Sequence, residues 1–278
     1  MKLQPSYWLC AVALLVCCGG KGASAPNFAF VLPAGKTLTV VTTDRNDLIV
    51  DKLGTRTQEQ TVRHTLKIVE GGVLGRDKIR ALVRMTVVGA RWKRGDERQS
   101  WKPGKPGKIQ DEVSIAAAMH KIEYEAVIAA DYSVTVTGLK RLPLDYQLGD
   151  FAKKFRRNTI NAKMLAVDLQ SGVSMLPRGS HRVGSKWTTT YASHTPLSMK
   201  KTKVPIDWTL ESRNRDVVVT VGKIRPLTKP TGGKLRLFEV RVTFDVANKR
   251  PLGQLFNLEM KMPTGAVKNQ ITTSYQLK

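Results

Sequence analysis

Two stretches of period-two alternation constrain the fold of this chain more than any other feature. In Gln58–Val69, the residues Val62, His64, Leu66 and Ile68 fall on one side, with Arg63, Thr65 and Lys67 on the other. Ile79–Ala90 repeats the pattern: Ile79, Ala81, Val83, Met85 and Val87 stand opposite Arg80, Arg84 and Thr86. A helix would spread these residues round its circumference, whereas a strand sends alternate side chains to opposite faces. Gly71, Gly72 and Gly75 separate the runs, which read as a long hairpin with one packed face and one wet face. Twelve residues in each run, at about 3.3 Å apiece, make a strand of roughly 40 Å. That is long for a compact sandwich and suits a curved sheet.

Strand signals recur at Thr37–Thr43, Ile122–Ile128 and Ser133–Thr137, with Pro33-Ala34-Gly35 and Asp131-Tyr132 as turns. Asp111–His120 leaves helix and strand open, because Ala116, Ala117 and Ala118 favour a helical turn. The period changes over 150–172. There Phe151 and Phe155 are four apart, and Ile160, Met164 and Val167 follow at helical spacing. Asp150 is placed to cap this section and Gly172 to end it. Lys153, Lys154, Arg156 and Arg157 are expected on the outer side of the first helix.

Beyond Val183 the strands return at Lys186–Tyr191, Val204–Glu211, Asp216–Ile224, Lys234–Val246, Phe256–Met262 and Gln270–Leu277. Short turns and no strand–helix–strand rhythm imply antiparallel pairing. The expected fold is mainly β: one or more antiparallel, curved sheets with a helical middle section at 150–172 packed on one face. Residues 28–278 are expected to form one β-rich domain.

Cys10, Cys17 and Cys18 are the only cysteines, and Trp8–Cys18 is an apolar run of eleven behind Lys2. A bilayer-spanning helix needs roughly 20 apolar residues. The run therefore reads as the core of a cleaved signal peptide, residues 1–18. Two processing routes are open. Leu15-Val16-Cys17-Cys18 can act as a lipobox, with Cys18 acylated and 19–27 serving as a flexible tether. Alternatively, a general signal peptidase cuts within Gly20–Ser24. Cys17 stands where a lipobox usually has Gly, Ala or Ser. The rest of the chain carries no cysteine, so its stability rests on core burial and not on disulfides.

Lysine and arginine number 46 against 22 acidic residues, a formal charge of +24. Removing the leader subtracts Lys2 alone. Such a field draws the protein to anionic surfaces and makes binding salt-dependent. For an exported protein the partners implied are lipid headgroups, lipopolysaccharide phosphates and acidic wall polymers; nucleic acid is disfavoured. The densest basic cluster is Arg91–Lys108, where Trp92 and Trp101 interleave with cations. That composition can build a stacking groove for a single strand. Its Pro-Gly-Lys-Pro-Gly-Lys end argues instead for an irregular, solvated loop.

Catalytic signatures fail one by one. Gly35-Lys36-Thr37 lacks the glycine of a phosphate-binding loop, since Phe30 occupies that position. Ser198 and Lys201 have the spacing of penicillin-recognising enzymes without their companion motifs. His64, His120, His181 and His194 show no ligand spacing. No catalytic residue, metal or cofactor is expected, and the protein is read as a non-enzyme.

Leu176–Trp187 (LPRGSHRVGSKW) is the most distinctive string. It resembles the Leu-Pro and Val-Gly-x-x-Trp segment of a bacterial envelope family of unknown function, many of whose members are predicted lipoproteins. Ser185 departs from the acidic residue common at that position. The resemblance implies an exported β-rich protein and no catalytic residues. On physical grounds, Gly184 can take a backbone conformation closed to other residues, and Trp187 can fill space between helix and sheet. Trp187, Phe151 and Phe155 are the candidates to face an apolar ligand held between the helices and a curved sheet. The expected function is an exported, non-catalytic envelope protein, periplasmic or outer-membrane-associated, that binds a lipidic or anionic ligand. The alternative is a structural component resting electrostatically on acidic envelope polymers.

Overall fold

The two alternating runs form adjacent antiparallel strands of one large sheet. The computed structural model describes residues 25–51, 54–104, 111–174, 176–194, 201–224 and 234–278. The leader with Cys18, the Lys105–Lys108 tail of the basic cluster, Ser198 and the turn at Thr231-Gly232-Gly233 lie outside the described residues.

In chain order the elements are β1 (Phe30–Leu32), β2 (Thr37–Val50), β3 (Gly54–Glu70), β4 (Gly72–Leu74), β5 (Ile79–Arg94) and β6 (Glu97–Trp101). Then come α1 (Asp111–Ala118), β7 (Ile122–Ile128), β8 (Val134–Arg141), α2 (Asp150–Asn158) and α3 (Ala162–Val173). The C-terminal part holds β9 (Lys186–His194), β10 (Lys201–Asn214), β11 (Val217–Ile224), β12 (Lys234–Asp245), β13 (Arg250–Met262) and β14 (Gly265–Leu277). The sheet runs β8-β7-β5-β3-β2-β14-β13-β12-β11-β10-β9, and β6 adds to β5 beyond the stretch that β7 occupies. A separate two-stranded ribbon pairs β1 with β4. The mainly antiparallel fold holds, and the sheet is open, not a closed barrel.

Register fixes which side chains share a face. Tyr275, Val40, His64, Met85 and Ile122 face one another in a row across β14, β2, β3, β5 and β7. All five are buried. The same face continues through Gln254, Val242, Thr220 and Leu210 on β13 to β10. Again all are buried. One face is thus the core and the other carries charge, as the alternation implies.

The sheet bends towards its packed face. The ring of Phe28 lies 6.0 Å from Trp187 on β9 and 5.4 Å from Phe244 on β12. Those strands are three positions apart in the sheet, about 14 Å if it were flat. Close approach also dictates composition. A Cβ on Gly222 would meet Ile206 Cγ2 at 2.5 Å and Trp208 Cε3 at 3.0 Å. Gly75, at φ +81°, both turns the chain after β4 and leaves room for the Tyr132 ring.

The helical section is two helices packed on this face, as the spacing implies. Asn161 caps α3 by accepting from the Met164 amide at 3.0 Å. Leu165, Leu169 and Val173 are fully buried. Gly172 lies within α3 and does not end it. Its missing side chain lets the helix touch the sheet, because a Cβ there would sit 3.1 Å from Val40 Cγ1.

The expected outer position of Arg156 is corrected. Arg156 points inward and donates to the carbonyls of Ala118, His120 (2.8 Å) and Leu142 (2.8 Å). It thereby satisfies the C-terminal end of α1, where helix carbonyls lack partners and carry partial negative charge. Burial lowers the guanidinium pKa, yet it stays far above neutrality in every protein context. Arg141 does the same for α2, donating to the carbonyls of Arg156 (2.7 Å) and Ile160. Charge patterning misassigned Arg156 because an arginine facing buried carbonyls has the same spacing as one facing water.

The basic hairpin is also a correction. Arg91–Arg94 ends β5 and Glu97–Trp101 is β6, so this stretch is paired strand and not irregular loop. Trp92 and Trp101 are buried on the inner face. Their interleaved neighbours Arg91, Lys93, Arg98 and Ser100 belong to the opposite, outer face. The interleaving is strand alternation, and no stacking groove forms.

Arg156→Met should lower the unfolding free energy by about 3 kcal/mol, since several buried carbonyls lose their donor. Exposed Arg157→Met should change it by less than about 0.5 kcal/mol. Urea denaturation of the two variants checks this.

Candidate functional site

The three aromatic candidates do not converge. Phe151 is 64% exposed on the outside of α2, while Phe155 packs partly against the core. Trp187 lies on β9, the sheet edge opposite β8. It stacks on His181 at 3.7 Å, on Phe28 at 6.0 Å and on Trp208 of β10 at 6.3 Å, so these ring partners come from the N-terminal segment, the preceding loop and the neighbouring strand. Its indole N–H is buried without a partner among the described residues. Gly184 has φ +82°, as its sequence context implies. The seam between α3 and the sheet is packed by Leu165, Leu169 and Val173, so the space expected to hold a ligand there is filled.

The long strands extend beyond the helices, and there the inner face changes character. Register places Met260, Val267, Leu48, Arg56 and Arg94 in one row across β13, β14, β2, β3 and β5. The adjoining row reads Leu258, Asn269, Asn46, Gln58 and Trp92. The next reads Phe256, Ile271, Asp44, Gln60 and Ala90. One side of this inner surface is therefore apolar and the other polar to cationic. Leu258, Met260, Val267 and Ile271 are only partly buried and stand outside the core cluster. Leu48 is 37% exposed.

Between this open end and the core lies a polar cluster under α3. His64 Nε2 is 3.0 Å from Asp168 Oδ2, with the imidazole 2% exposed. His64 Nδ1 and the Tyr124 hydroxyl are buried without partners among the described residues. Burial, reinforced by the nearby Asp168 charge, pushes the Tyr124 phenol well above its usual range. Asp44 is raised from its ordinary value by burial first and by Asp168 second, against hydrogen bonds from Asn269 (2.7 Å) and Asn46 (3.0 Å) that lower it. The Tyr275 hydroxyl, 2.8 Å from the Gly172 carbonyl and 2.9 Å from Gln254 Oε1, ties α3 to β14. An acid–imidazole pair can accept and donate a proton, but among the described residues no serine or threonine hydroxyl hydrogen-bonds to this imidazole. No group of three metal-ligating side chains occurs among the described residues.

The outer face carries open troughs. One, about 770 Å³, is lined by residues including Lys67, Arg84, Glu123 and Glu125, in which Arg84 pairs with Glu123. A second, about 510 Å³, is lined by Arg45, Arg91, Lys93 and Arg98 with Thr57 and Ser100. Sequence reasoning missed these groupings and the inner rows alike. The inner rows are brought together by β14–β2 pairing of residues more than 200 apart, and the troughs by pairing of β2, β3 and β5 with their neighbours; no local signal encodes those registers.

No protein-family model matches the sequence, and no curated protein matches it. Among solved structures, the chain is similar to lipovitellin, from a study of lipid–protein interactions, at 8% identity and a TM-score of 0.41. That likeness covers 88% of this chain and 25% of the other, so the chain spans about a quarter of lipovitellin's length. It is similar to a β-barrel-like protein of a domain of unknown function from Brucella abortus at 7% identity and a TM-score of 0.22, covering 87% and 98% of the two chains. MucB in complex with MucA(peri) follows at 7% identity and a TM-score of 0.13, covering 86% and 89%. Likeness at these levels assigns no function, which is argued from the chain's own geometry.

The half-buried carboxyl of Asp44 gives the cluster a pH signature. Its pKa is raised on folding, so the native state binds the proton more tightly, and stability falls as pH rises from 3.8 through the raised value. Asp44→Asn should therefore raise the melting temperature at pH 7 by about 1–3 °C. The gain should vanish as pH falls through the raised pKa to below 3.8. Thermal melts of both proteins across that range check the sign.

Proposed function

We propose that this protein is an exported, non-catalytic envelope component that holds a lipidic ligand on the inner face of the open sheet end. The observation that carries the reading is the row from Met260, Val267 and Leu48 to Arg56 and Arg94, which grades from apolar to cationic along one face. Apolar surface left accessible in a continuous patch favours a ligand of like character. The adjoining cations favour an anionic head, so the matching chemistry is a single anionic amphiphile with an acyl-type chain. The chain would lie over β12 to β14 and the head over β3 and β5.

The signal-peptide reading of 1–18 supports export, with Cys18 as the proposed acylation site. No helix among the described residues is long and apolar enough to cross a membrane. The non-enzyme reading is supported by the structural part of the His64–Asp168 pair, which joins α3 to β3.

The test uses the full chain and a fluorescent fatty acid. Wild type should bind it, and Met260→Asp should weaken binding roughly tenfold or more by placing a charge against the chain. Paired Arg56→Gln and Arg94→Gln should weaken palmitate binding while sparing hexadecanol, which has no charge. Wild-type protein that takes up neither probe would overturn the proposal.

A further inference from the structure

The corner of the open end built by β3, β5 and β6 concentrates like charges, of which Arg56 also lies over the Trp92 ring at 5.8 Å. Lys93 and Arg98 are direct cross-strand partners on the outer face. Arg56 and Arg94 are direct partners on the inner face of the same corner. Like charges set directly opposite destabilise a sheet. Two such pairs therefore sit back to back. Carboxylates are present nearby but serve other cations. Asp47 pairs with Arg45 at 3.2 Å and Glu59 approaches Arg91 at 3.9 Å. Glu97 stands opposite Arg94 in register without an ion pair, and Asp96 occupies the turn. Among the described residues, Arg56, Lys93, Arg94 and Arg98 form no ion pair.

Repulsion of this kind is relieved by an anion, and Lys93 and Arg98 line the 510 Å³ trough with the Thr57 and Ser100 hydroxyls and with Glu59, whose carboxylate faces Arg91 at 3.9 Å. Guanidinium, ammonium and hydroxyl donors together suit phosphate oxygens. The corner also adjoins exposed apolar surface, because Arg56 lies beside Leu48, 37% exposed, in the row that continues to Val267 and Met260. A dissolved polyanion would match only the charges. A lipid surface offers phosphates and an apolar interior at one contact.

We infer that the β3–β5–β6 corner docks on a phosphate-bearing lipid surface, through Lys93 and Arg98 on one side and Arg56 and Arg94 on the other. This orientation turns the apolar inner rows towards the membrane. The inference goes beyond the ligand proposal and is read independently of it, since vesicle partition needs no bound amphiphile.

The experiment is cosedimentation of the full chain with phosphatidylcholine vesicles, with and without phosphatidylglycerol. The increment caused by phosphatidylglycerol should fall steeply between low and physiological salt. Lys93→Gln/Arg98→Gln should reduce it roughly thirtyfold. The same variant should melt no lower than wild type in the absence of vesicles, because a repulsive pair is removed. Arg84→Gln, which removes one outer-face charge already paired with Glu123, should change partition by no more than about twofold.

An equal loss in Arg84→Gln would mean diffuse charge and overturn the inference, as would wild-type partition by the double variant. Tight binding of inorganic pyrophosphate without a phosphatidylglycerol increment would reassign the trough to free phosphate. Binding of heparin or single-stranded nucleic acid without that increment would reassign it to a polymer.

Discussion

The antiparallel pairing of β2 with β14 is the interaction on which the remaining architecture depends. It joins Leu38–Val50 to Gly265–Leu277 and so welds the N-terminal and C-terminal strands into one sheet. Without it, each half would expose an edge strand whose backbone groups lack partners. With it, the packed face runs unbroken from β8 to β9, and that face is stabilised by the removal of apolar side chains from water. The bend of the sheet follows from the same requirement. Short helices and one small ribbon cover a wide apolar surface only if that surface curls around them.

Covering the sheet brings helix ends into the interior, where their carbonyls need donors. Arg156 and Arg141 answer this in sequence. Arg156 on α2 satisfies the end of α1, and Arg141 on β8 satisfies the end of α2. Two of the three described helices are thus positioned by a cation, α1 from α2 and α2 from β8, and part of the chain's high arginine content is structural. Tyr275 and His64 perform a comparable task for α3. These polar anchors leave the helix–sheet seam filled, which moves any apolar binding surface outward along the strands.

That outward stretch differs from the core in one respect. Strand pairing continues there, and while α1 packs on β5 and β6, Leu258, Met260, Val267 and Ile271 on β13 and β14 stand outside the core cluster. Apolar residues on β13 and β14 meet polar and cationic residues on β2, β3 and β5 across continuous rows. Folding alone favours neither this gradient nor like charges facing one another at its cationic end. The proposed docking on an amphiphilic, anionic surface would account for both, and a +24 chain would also be drawn to such a surface over longer range.

Period-two alternation was enough, by itself, to assign β3, β5 and β7, their wet and dry faces and their antiparallel sense, because side-chain direction in a strand is a local property. Helical spacing likewise located α2 and α3, and Gly184 was legible as a turn residue. Which face of α2 is inward was not legible: Phe151 and Arg156 exchange the roles their chemistry suggests, since burial depends on what lies opposite. Trp92 and Trp101 looked like partners of their cationic neighbours until pairing placed the two kinds of residue on opposite sides. The rows at the open end were decided wholly by tertiary structure. Register between β14 and β2 is set by long-range burial and backbone hydrogen bonds, and no window of sequence contains both Met260 and Arg56.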